Sequence, residues 1–244
     1  MGSKIEWTEE TWNPIKGCTK ISAGCKHCYA EPMAKRLQAM GVEGYEDGFT
    51  PGLVPSRLDK PLGFKRPKVF FVASMSDLFH ADIPDWYVDK IMDVIRATPQ
   101  HTYQLLTKRA GRMQEYFSTR SVPDNAWIGV SVENREHGLP RIDHLRQIEA
   151  KVRYLSVEPL LEDLGVIDLE GIHWVIAGGE SGKGARPMRR EWVASVRDQC
   201  LQAGTAFFFK QWGAYNQDGN KGNKKRNGNL LDSRVWEEYP CYMG

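Results

Sequence analysis

The sequence predicts an α/β protein, an incomplete TIM-like (β/α)6-7 barrel of parallel strands with helices outside. Short, nearly continuous apolar runs are typical of strands buried on both faces of a parallel sheet. Amphipathic segments of helical length separate most of these runs. Nearly every run ends in polar side chains, as expected where the carboxyl ends of barrel strands converge on one face. An open doubly wound sheet is the alternative, but it would concentrate such groups only near its switch point. The runs lie at 68–74, 102–107, 127–132, 152–157, 173–179 and 206–212.

The N-terminal part supplies one further strand. The stretch "TWNPIKG" at 11–17 predicts a short first strand, and it leads into a cysteine-bearing loop at 17–30. A helix is predicted over 29–40, with its proline in the first turn, where the missing N–H is tolerated. Residues 41–67 are rich in Gly and Pro and predict a long excursion. The strands then number about seven, fewer than the eight of a complete barrel.

Three later segments have helical periodicity, and the C-terminal region has a different composition. Helices are predicted at 85–98, 140–150 and 190–204, the last ending at a glycine. The polar, basic stretch at 216–229 predicts a solvated excursion rather than a dedicated nucleic-acid arm. The closing "LLDSRVWEEYP" at 230–240 is apolar enough to dock back on the domain. We therefore predict a barrel at 1–212 and an extension at 213–244 that packs on it.

Composition indicates an ordinary globular enzyme. The 244 residues include 41% hydrophobic and 26% charged residues, and the formal net charge is +2. That charge is too small to indicate a nucleic-acid binder, although a local basic patch is compatible with it. The sequence has no apolar run long enough to span a membrane and no basic start followed by an apolar stretch. It therefore predicts a cytoplasmic protein without a membrane partner.

Three of the five cysteines lie close together in the sequence. Cys18, Cys25 and Cys28 are spaced C-x6-C-x2-C, and His27 lies inside the second gap. The cysteine count is odd, three cysteines are clustered and the chain is predicted to be cytoplasmic, so metal binding or redox chemistry is favoured over a disulfide framework. Thiolates are soft ligands, and a C-x2-C pair can hold one metal centre from a tight turn.

Four interpretations of this loop compete. A zinc site needs a fourth ligand, and His27 is poorly placed because it directly precedes Cys28. A thioredoxin-like pair would leave Cys18 unused. Core cysteines are unusual in a loop of Gly, Lys, Thr and Ser. An iron–sulfur cluster with three thiolates would leave one iron open for a substrate or cofactor. The distant candidates for a fourth zinc ligand are Cys200, Cys241 and His80.

Polar side chains at the ends of the predicted strands are the candidate site residues. Carboxylates that directly follow an apolar run, in "SVEP" at 156–159 and "GGES" at 178–181, favour a shared site over ordinary loop polarity. Ordinary loop polarity explains Arg109 and Asn134. Glu158 would bind a ribose hydroxyl or transfer a proton, or merely cap its strand. The candidates at the strand ends are Ser74, Ser76, Asp77, Ser131, Glu158, Gly178, Gly179 and Glu180.

Several motifs together resemble one known family. They are "TWNPIKGCTKISAGCKHCYAE", "SMSDLF", "LLTKR", "GGESGKGARPM", "KQWG" and "LLDSRVWEEYP". Over nearly the whole chain they resemble a phage-associated family of radical S-adenosylmethionine (SAM)-like proteins, some of them found with a "three-Cys-motif partner" protein. The resemblance implies a [4Fe–4S] cluster on Cys18, Cys25 and Cys28, whose open iron chelates SAM. One electron would then cleave the sulfonium to a deoxyadenosyl radical that abstracts hydrogen from substrate.

The resemblance also implies partners and further site roles. It implies an external electron donor, a partner protein, and a nucleic-acid or nucleotide-derived substrate, as in DNA repair or base modification. His27 matches a position where an aromatic ring usually lies near the adenine, although a structural histidine fits equally. Arg186 would pair with the SAM carboxylate or an acidic substrate, or form a surface salt bridge.

Two departures from the superfamily pattern leave alternatives open. The usual spacing is C-x3-C-x2-C, and this chain has extra residues between its first two cysteines. The Gly-Gly-Glu motif normally follows the second strand, but here it comes near the sixth, and Ser74, Ser76 and Asp77 occupy the expected place. The role of binding the SAM amino group then belongs to one of these three residues or to Glu180. The alternative function is a zinc-stabilised, non-enzymatic binding module that acts through a partner protein.

Overall fold

The computed structural model describes residues 5–241 of the chain. Its main sheet has seven strands that follow one another in chain order. Each pair of neighbours with a defined register is parallel. The six predicted apolar runs each form one strand, so the prediction of an incomplete TIM-like barrel is confirmed. The strands are β1 (Glu10–Trp12), β2 (Val69–Val72), β3 (Thr102–Thr107), β4 (Ala126–Ser131), β5 (Val152–Val157), β6 (Trp174–Gly178) and β7 (Ala206–Gln211).

Helices follow most of the strands in sequence. The predicted periodicity is clearest in the helix after β2, where the apolar residues at i, i+3 and i+4 spacing are buried. The helix after β6 ends at Gly204, whose positive φ of 67° suits glycine at a helix C-terminus. The helices are α1 (Ala30–Ala39), α2 (Asp85–Ala97), α3 (Ala110–Phe117), α4 (Arg135–Arg146), α5 (Arg190–Ala203) and α6 (Lys224–Asn227).

Helix α4 begins earlier than the predicted 140–150. Asn134 accepts a hydrogen bond from the backbone N of His137 at 3.0 Å and so caps the helix. Pro140 lies inside the helix rather than at its start. The predicted segment therefore starts inside the helix, because the sequence alone does not distinguish the capping Asn134 from a polar loop residue.

The predicted first strand at 11–17 is divided in two. Its first part is β1, and Ile15–Lys16 forms a separate antiparallel pair with Gly52–Leu53. Residues 52–53 lie in the long excursion at 41–67, which also contains short 3-10 helices at Pro55–Arg57 and Lys60–Gly63. The excursion is therefore joined to the segment that leads into the cysteine loop.

The chain divides into two compact units. Within the described residues, unit 1 comprises 5–21, 28–129 and 147–151, and unit 2 comprises 22–27, 130–146 and 152–241. The core of unit 1 includes Phe70 stacked on Tyr103, with ring centroids 5.3 Å apart. The predicted barrel and extension boundaries stay predictions, and their outer ends at 1–4 and 242–244 lie outside the described residues.

The core of unit 2 is closed by the C-terminal segment. The backbone N of Phe209 donates to the carbonyl of Trp236 at 2.8 Å, and that of Glu238 donates to the carbonyl of Phe207 at 3.1 Å. The segment at 230–240 therefore packs along β7, as its apolar residues suggest. None of the helices within residues 5–241 is both long enough and apolar enough to cross a membrane.

Candidate functional site

The cysteine loop lies between the Ile15–Lys16 strand and α1, and it contains a short 3-10 helix at Ala23–Cys25. The three cysteines of the loop are partly exposed. No disulfide links any of the five cysteines, all of which fall within the described residues. Cys18 and Cys28 belong to unit 1 and Cys25 to unit 2. The thiols are therefore chemically available as ligands.

In unit 1, the Arg109 guanidinium holds the start of the cysteine loop. Its Nη1 donates to the Sγ of Cys18 at 3.5 Å and to Oδ2 of Asp77 at 3.1 Å. Its Nη2 donates to the carbonyl and the Oγ1 of Thr19, at 3.1 and 3.0 Å. Burial opposes the charge, but Asp77 and the Cys18 sulfur raise the pKa of Arg109 above its usual value. A permanent cation against the sulfur favours the thiolate form of Cys18.

Asp77 fixes Arg109 in this position. It is buried, and its oxygens accept hydrogen bonds from the Thr107 hydroxyl at 2.6 Å and from the backbone N of Phe79 and Lys108 at 3.0 and 3.1 Å. With Arg109 as a fourth donor, the carboxylate is well satisfied within the protein. The structure therefore gives Asp77 a positioning role beside the cysteine loop.

The serines before Asp77 also have internal partners. The Ser74 hydroxyl donates to Oδ1 of Asn13 at 3.1 Å, and the Ser76 hydroxyl donates to the carbonyl of Ile15 at 3.2 Å. The hydroxyl of Tyr29, directly after Cys28, donates to the carbonyl of Ser74. The turn after β2 thus binds both the segment before the cysteine loop and the C-terminal end of the loop itself.

In unit 2, a buried carboxylate holds the middle of the loop. Glu133, directly after β4, accepts a hydrogen bond from the Ser22 hydroxyl and pairs with Arg141 at 2.6 Å. Both partners of that ion pair are buried. A Cβ at Gly24 would lie 3.1 Å from the Glu133 carboxylate, so the glycine lets the loop approach it closely. Ser131, at the end of β4, accepts a hydrogen bond from Arg141 on its carbonyl at 2.7 Å.

Glu180 and Arg186 form a second anchor in unit 2. The Arg186 side chain donates to both Glu180 oxygens, at 2.6 and 2.8 Å, and its backbone N also donates at 2.8 Å. Its Nη2 reaches the carbonyl of Ala23 in the cysteine loop at 3.0 Å. Burial alone would raise the pKa of Glu180, but the hydrogen bonds from Arg186 hold it below its usual value. Arg186, predicted to pair with the carboxylate of SAM or of an acidic substrate, thus pairs with the carboxylate of Glu180 in this structure.

The two glycines before Glu180 are explained by packing. A Cβ at Gly178 would lie 2.6 Å from Oε1 of Glu158, and one at Gly179 would lie 2.0 Å from the carbonyl oxygen of Trp212. The backbone N of Gly179 donates to the carbonyl of Gln211 at 2.9 Å. The doublet therefore brings the ends of β6 and β7 into backbone contact.

Two further predicted residues also lie in unit 2. Glu158 pairs with Lys210 of β7 at 3.1 Å. The ring of His27 lies against Gly184, where a Cβ would be 3.0 Å from the ring Cε1. The positive φ of 82° at Gly184 independently favours glycine there.

Two of the three distant candidates for a zinc ligand are engaged elsewhere. Cys200 is buried on α5, and burial raises the pKa of its thiol to about 12. The Nε2 of His80 lies 2.7 Å from the Thr19 hydroxyl, and its Nδ1 accepts from the backbone N of Asp82 at 3.1 Å. Residues 5–241 contain no group of three or more His, Cys, Asp or Glu side chains arranged to hold one metal ion. The assignment of the three cysteines as ligands therefore stays a prediction.

The sequence did not predict that Arg109 and Glu133 contact the cysteine loop, or that Arg141 supports Glu133. Glu133 directly follows an apolar run in "SVEN" at 131–134, the same pattern that singled out Glu158. Arg109 was attributed to loop polarity, since only the fold brings the end of β3 to Cys18. Arg141 had no sequence signal, because a buried arginine on a helix looks like a surface residue until its partner is known.

The fold and the loop define a partial β/α barrel protein with a thiol-bearing segment after its first strand. The chain belongs to the family described as "Protein of unknown function (DUF5131)", which it matches over residues 2–240. No curated protein matches the chain.

Solved structures of spore photoproduct lyase are similar to this chain. A cysteine-to-serine mutant has a TM-score of 0.49 and 15% identity, covering 75% of this chain and 60% of that chain. A mutant with bound AdoMet and dinucleoside spore photoproduct has a TM-score of 0.47 and 15% identity, covering 73% and 57%. The complex with dinucleoside spore photoproduct has a TM-score of 0.48 and 14% identity, covering 83% and 63%. The chain thus spans about three fifths of the lyase chains.

Proposed function

We propose that this protein is a radical SAM-type enzyme that binds a [4Fe–4S] cluster through Cys18, Cys25 and Cys28. The observation that carries the proposal is the Arg109 guanidinium, 3.5 Å from the Cys18 sulfur in a loop with two further thiols. Thiolates are the ligands of iron–sulfur clusters, and a fixed cation beside one of them favours that form. The donor chemistry of the loop therefore fits the cluster.

The proposed roles of the protein side chains follow from their contacts. A bound cluster would supply one electron to the sulfonium of SAM, and the cleavage would give a deoxyadenosyl radical for hydrogen abstraction. Arg109 and Asp77 would orient Cys18, and Glu133 and Arg186 would fix the backbone on the N-terminal side of Cys25. Because metal binding is coupled to local ordering of the ligands, this support would lower the cost of assembling the site.

The assignment of residues that bind SAM is part of the same proposal. Ser74, Ser76 and Glu180 have internal hydrogen-bond partners, so binding SAM through them would require an exchange of those bonds. His27 lies against Gly184 in the loop after Glu180, and we propose that its ring lies near the adenine. We also propose an external electron donor and a nucleic-acid or nucleotide-derived substrate.

The second candidate is a zinc-stabilised binding module that acts through a partner protein. The three thiols of the loop would also suit zinc, which is usually held by four ligands in structural sites. The raised pKa of Cys200 and the engaged ring nitrogens of His80 argue against these two as the fourth ligand. The binding-module hypothesis is therefore less favoured than the enzyme hypothesis.

One experiment separates the two candidates. The protein is purified without oxygen and reconstituted with iron and sulfide, and its visible and paramagnetic resonance spectra are recorded with and without SAM. A reducible [4Fe–4S] signal whose shape changes with SAM, together with deoxyadenosine formed on reduction, supports the enzyme. Stoichiometric zinc, no cluster uptake and no deoxyadenosine would replace the enzyme proposal with the binding module.

A further inference from the structure

A basic segment extends from the carboxyl ends of β6 and β7. This segment, which we call the basic loop, comprises residues 215–229. It carries four cations and a single acidic residue, Asp218. Residues 217–226 are all exposed. The cations are Lys221, Lys224, Lys225 and Arg226.

The basic loop is held at both ends by the strand ends of unit 2. The backbone N of Gly222 donates to the carbonyl of Ala214 at 2.8 Å, and the backbone N of Trp212 donates to that of Gly228 at 3.1 Å. The Asn227 amide donates to the carbonyl of Gly213 at 2.9 Å. The backbone N of Ala214 in turn donates to the carbonyl of Glu180 at 2.9 Å. The basic loop is thus joined by hydrogen bonds to the residues that directly follow β6 and β7.

Asparagines order the interior of the basic loop. Oδ1 of Asn216 accepts from the backbone N of Asp218 and Asn220, at 3.1 and 2.8 Å. Oδ1 of Asn223 caps α6 by accepting from the backbone N of Lys225 at 2.9 Å. A loop ordered in this way loses less conformational entropy on binding than a free chain does.

Three of the four cations of the basic loop have no ion-pair partner among the described residues. Lys221, Lys225 and Arg226 take part in none of the ion pairs formed among residues 5–241. Other cations of unit 2 are paired, for example Arg190 and Arg197 with Asp232. Three exposed cations without ion-pair partners, carried by an ordered loop, are suited to binding a polyanion.

We propose that the basic loop binds the phosphate backbone of a nucleic-acid strand at the carboxyl ends of β6 and β7. Lys and Arg side chains, amides, tyrosine hydroxyls and backbone N–H groups are the usual donors to phosphate. The loop combines its cations with amide side chains and the Tyr215 ring, over which Lys221 lies at 5.9 Å. This inference rests on the proposed function, whose substrate class it narrows to nucleic acid. It also replaces the prediction that residues 216–229 are only a solvated excursion.

Fluorescence anisotropy of the protein as purified, without added iron, tests this inference. The probe is a labelled single-stranded DNA of about 20 nucleotides, titrated from about 50 to 200 mM KCl. The variant is Lys221→Gln/Lys225→Gln/Arg226→Gln. The matched control, Lys65→Gln/Arg66→Gln/Lys90→Gln, removes the same charge from exposed positions of unit 1. Thermal unfolding verifies that both variants fold.

We expect the loop variant to bind DNA about tenfold more weakly at 0.1 M salt, with a salt slope lower by about 2. The control is expected to bind as the wild type does. Absence of wild-type binding, or equal weakening in the two variants, would overturn the inference. Competition by polyglutamate as strong as that by unlabelled DNA would also overturn it, because the partner would then be an acidic protein surface.

A second measurement does not depend on variants. DNA is expected to protect Lys221 and Lys225 from acetylation, read by mass spectrometry, while Lys65 and Lys90 react as before. Unchanged acetylation of the loop lysines at saturating DNA would contradict the inference.

Cluster reconstitution of the loop variant separates this inference from the proposed function. If the loop variant takes up a normal cluster, forms deoxyadenosine normally and binds DNA as the wild type does, the basic-loop inference is refuted and the radical SAM proposal stands. If the wild type takes up no cluster but binds DNA through the basic loop, the radical SAM proposal is refuted and the inference about the basic loop stands.

Discussion

Nη1 of Arg109 donates a hydrogen bond to Sγ of Cys18 over 3.5 Å, while Asp77 accepts from the same nitrogen at 3.1 Å. The guanidinium is therefore held between a carboxylate and a sulfur. The Arg109 side chain is 12% exposed and the Asp77 side chain 8%. In such a partly desolvated setting, a charge acts more strongly on a neighbouring sulfur than it would in water.

Replacing Arg109 should change the electronic properties of the loaded site. We expect Arg109→Gln to make the reduction potential of the cluster more negative by on the order of 50 mV, because a charged hydrogen bond to a ligand sulfur is lost. A redox titration followed by paramagnetic resonance measures this shift. Arg112→Gln is the control, since Arg112 pairs with Asp85 and binds the carbonyls of His80 and Ile83. Equal shifts in the two variants would exclude a specific effect on Cys18.

The cysteines of the chain should differ in their effect on iron. Cys25→Ala is expected to abolish cluster retention, because it removes one of the three proposed thiolate ligands and leaves the [4Fe–4S] cluster with only two. Cys200→Ala should retain iron and lose about 1 kcal/mol of stability, since it removes only a buried thiol, whose pKa of about 12 keeps it protonated. Iron and sulfide analysis after desalting measures retention. If both variants lose iron equally, the ligand assignment is wrong.

Gly179 should not tolerate a side chain. We expect Gly179→Ala to lower the free energy of unfolding by about 3 kcal/mol or more, because its Cβ would lie 2.0 Å from the carbonyl oxygen of Trp212. Gly63→Ala is the control, since a Cβ there meets nothing within 4 Å, and it should change stability by about 0.5 kcal/mol at most. Urea unfolding of both variants checks this. A Gly179→Ala protein as stable as the control would show that the strand ends are not in tight contact.

His173 should make stability depend on pH. Burial, with Arg153 nearby, lowers the pKa of His173 below its usual 6.5, so the folded state binds its proton less readily than the unfolded state does. This contribution is present above about pH 6.5 and is lost as the pH falls through the lowered value. Urea unfolding at about pH 7.5 and 5.5 should show a smaller loss in His173→Asn than in wild type.

The substitution at His173 has a matched control. An asparagine there can still accept the backbone N–H of Arg153, which Nδ1 of His173 accepts at 3.1 Å. His144→Asn replaces an exposed histidine of α4 and should leave the pH dependence of wild type. An equal acid-induced loss in wild type and His173→Asn would assign the effect to other groups.

The strands were predictable because a buried parallel sheet imposes an apolar pattern that few other structures produce. All six runs between 68 and 212 became strands, and the short β1 was found from its position before the cysteine loop. The start of α4 was missed because Asn134 was attributed to loop polarity although it caps the helix. Local signals therefore located the elements well and their ends less well.

The candidate site was less predictable because its contacts depend on the fold. The ends of the strands were recognised as polar, but sequence could not show that Ser74, Ser76 and Arg186 have partners inside the protein. Nor could the sequence show that Gly178 and Gly179 are needed because the ends of β6 and β7 pack too closely for a side chain there. Arg109 and Glu133 contact the cysteine loop from distant positions in the sequence, and no spacing rule connects them to it.

The contacts of the cysteine loop also have a kinetic consequence. The carbonyls of Thr19 and Ala23 and the hydroxyl of Ser22 already bind side chains that belong to the rest of the protein. Much of the entropy of ordering this segment is thus lost during folding rather than on arrival of an incoming ligand. A preorganised receptor of this kind favours rapid capture and long residence, even when the free ligand is scarce.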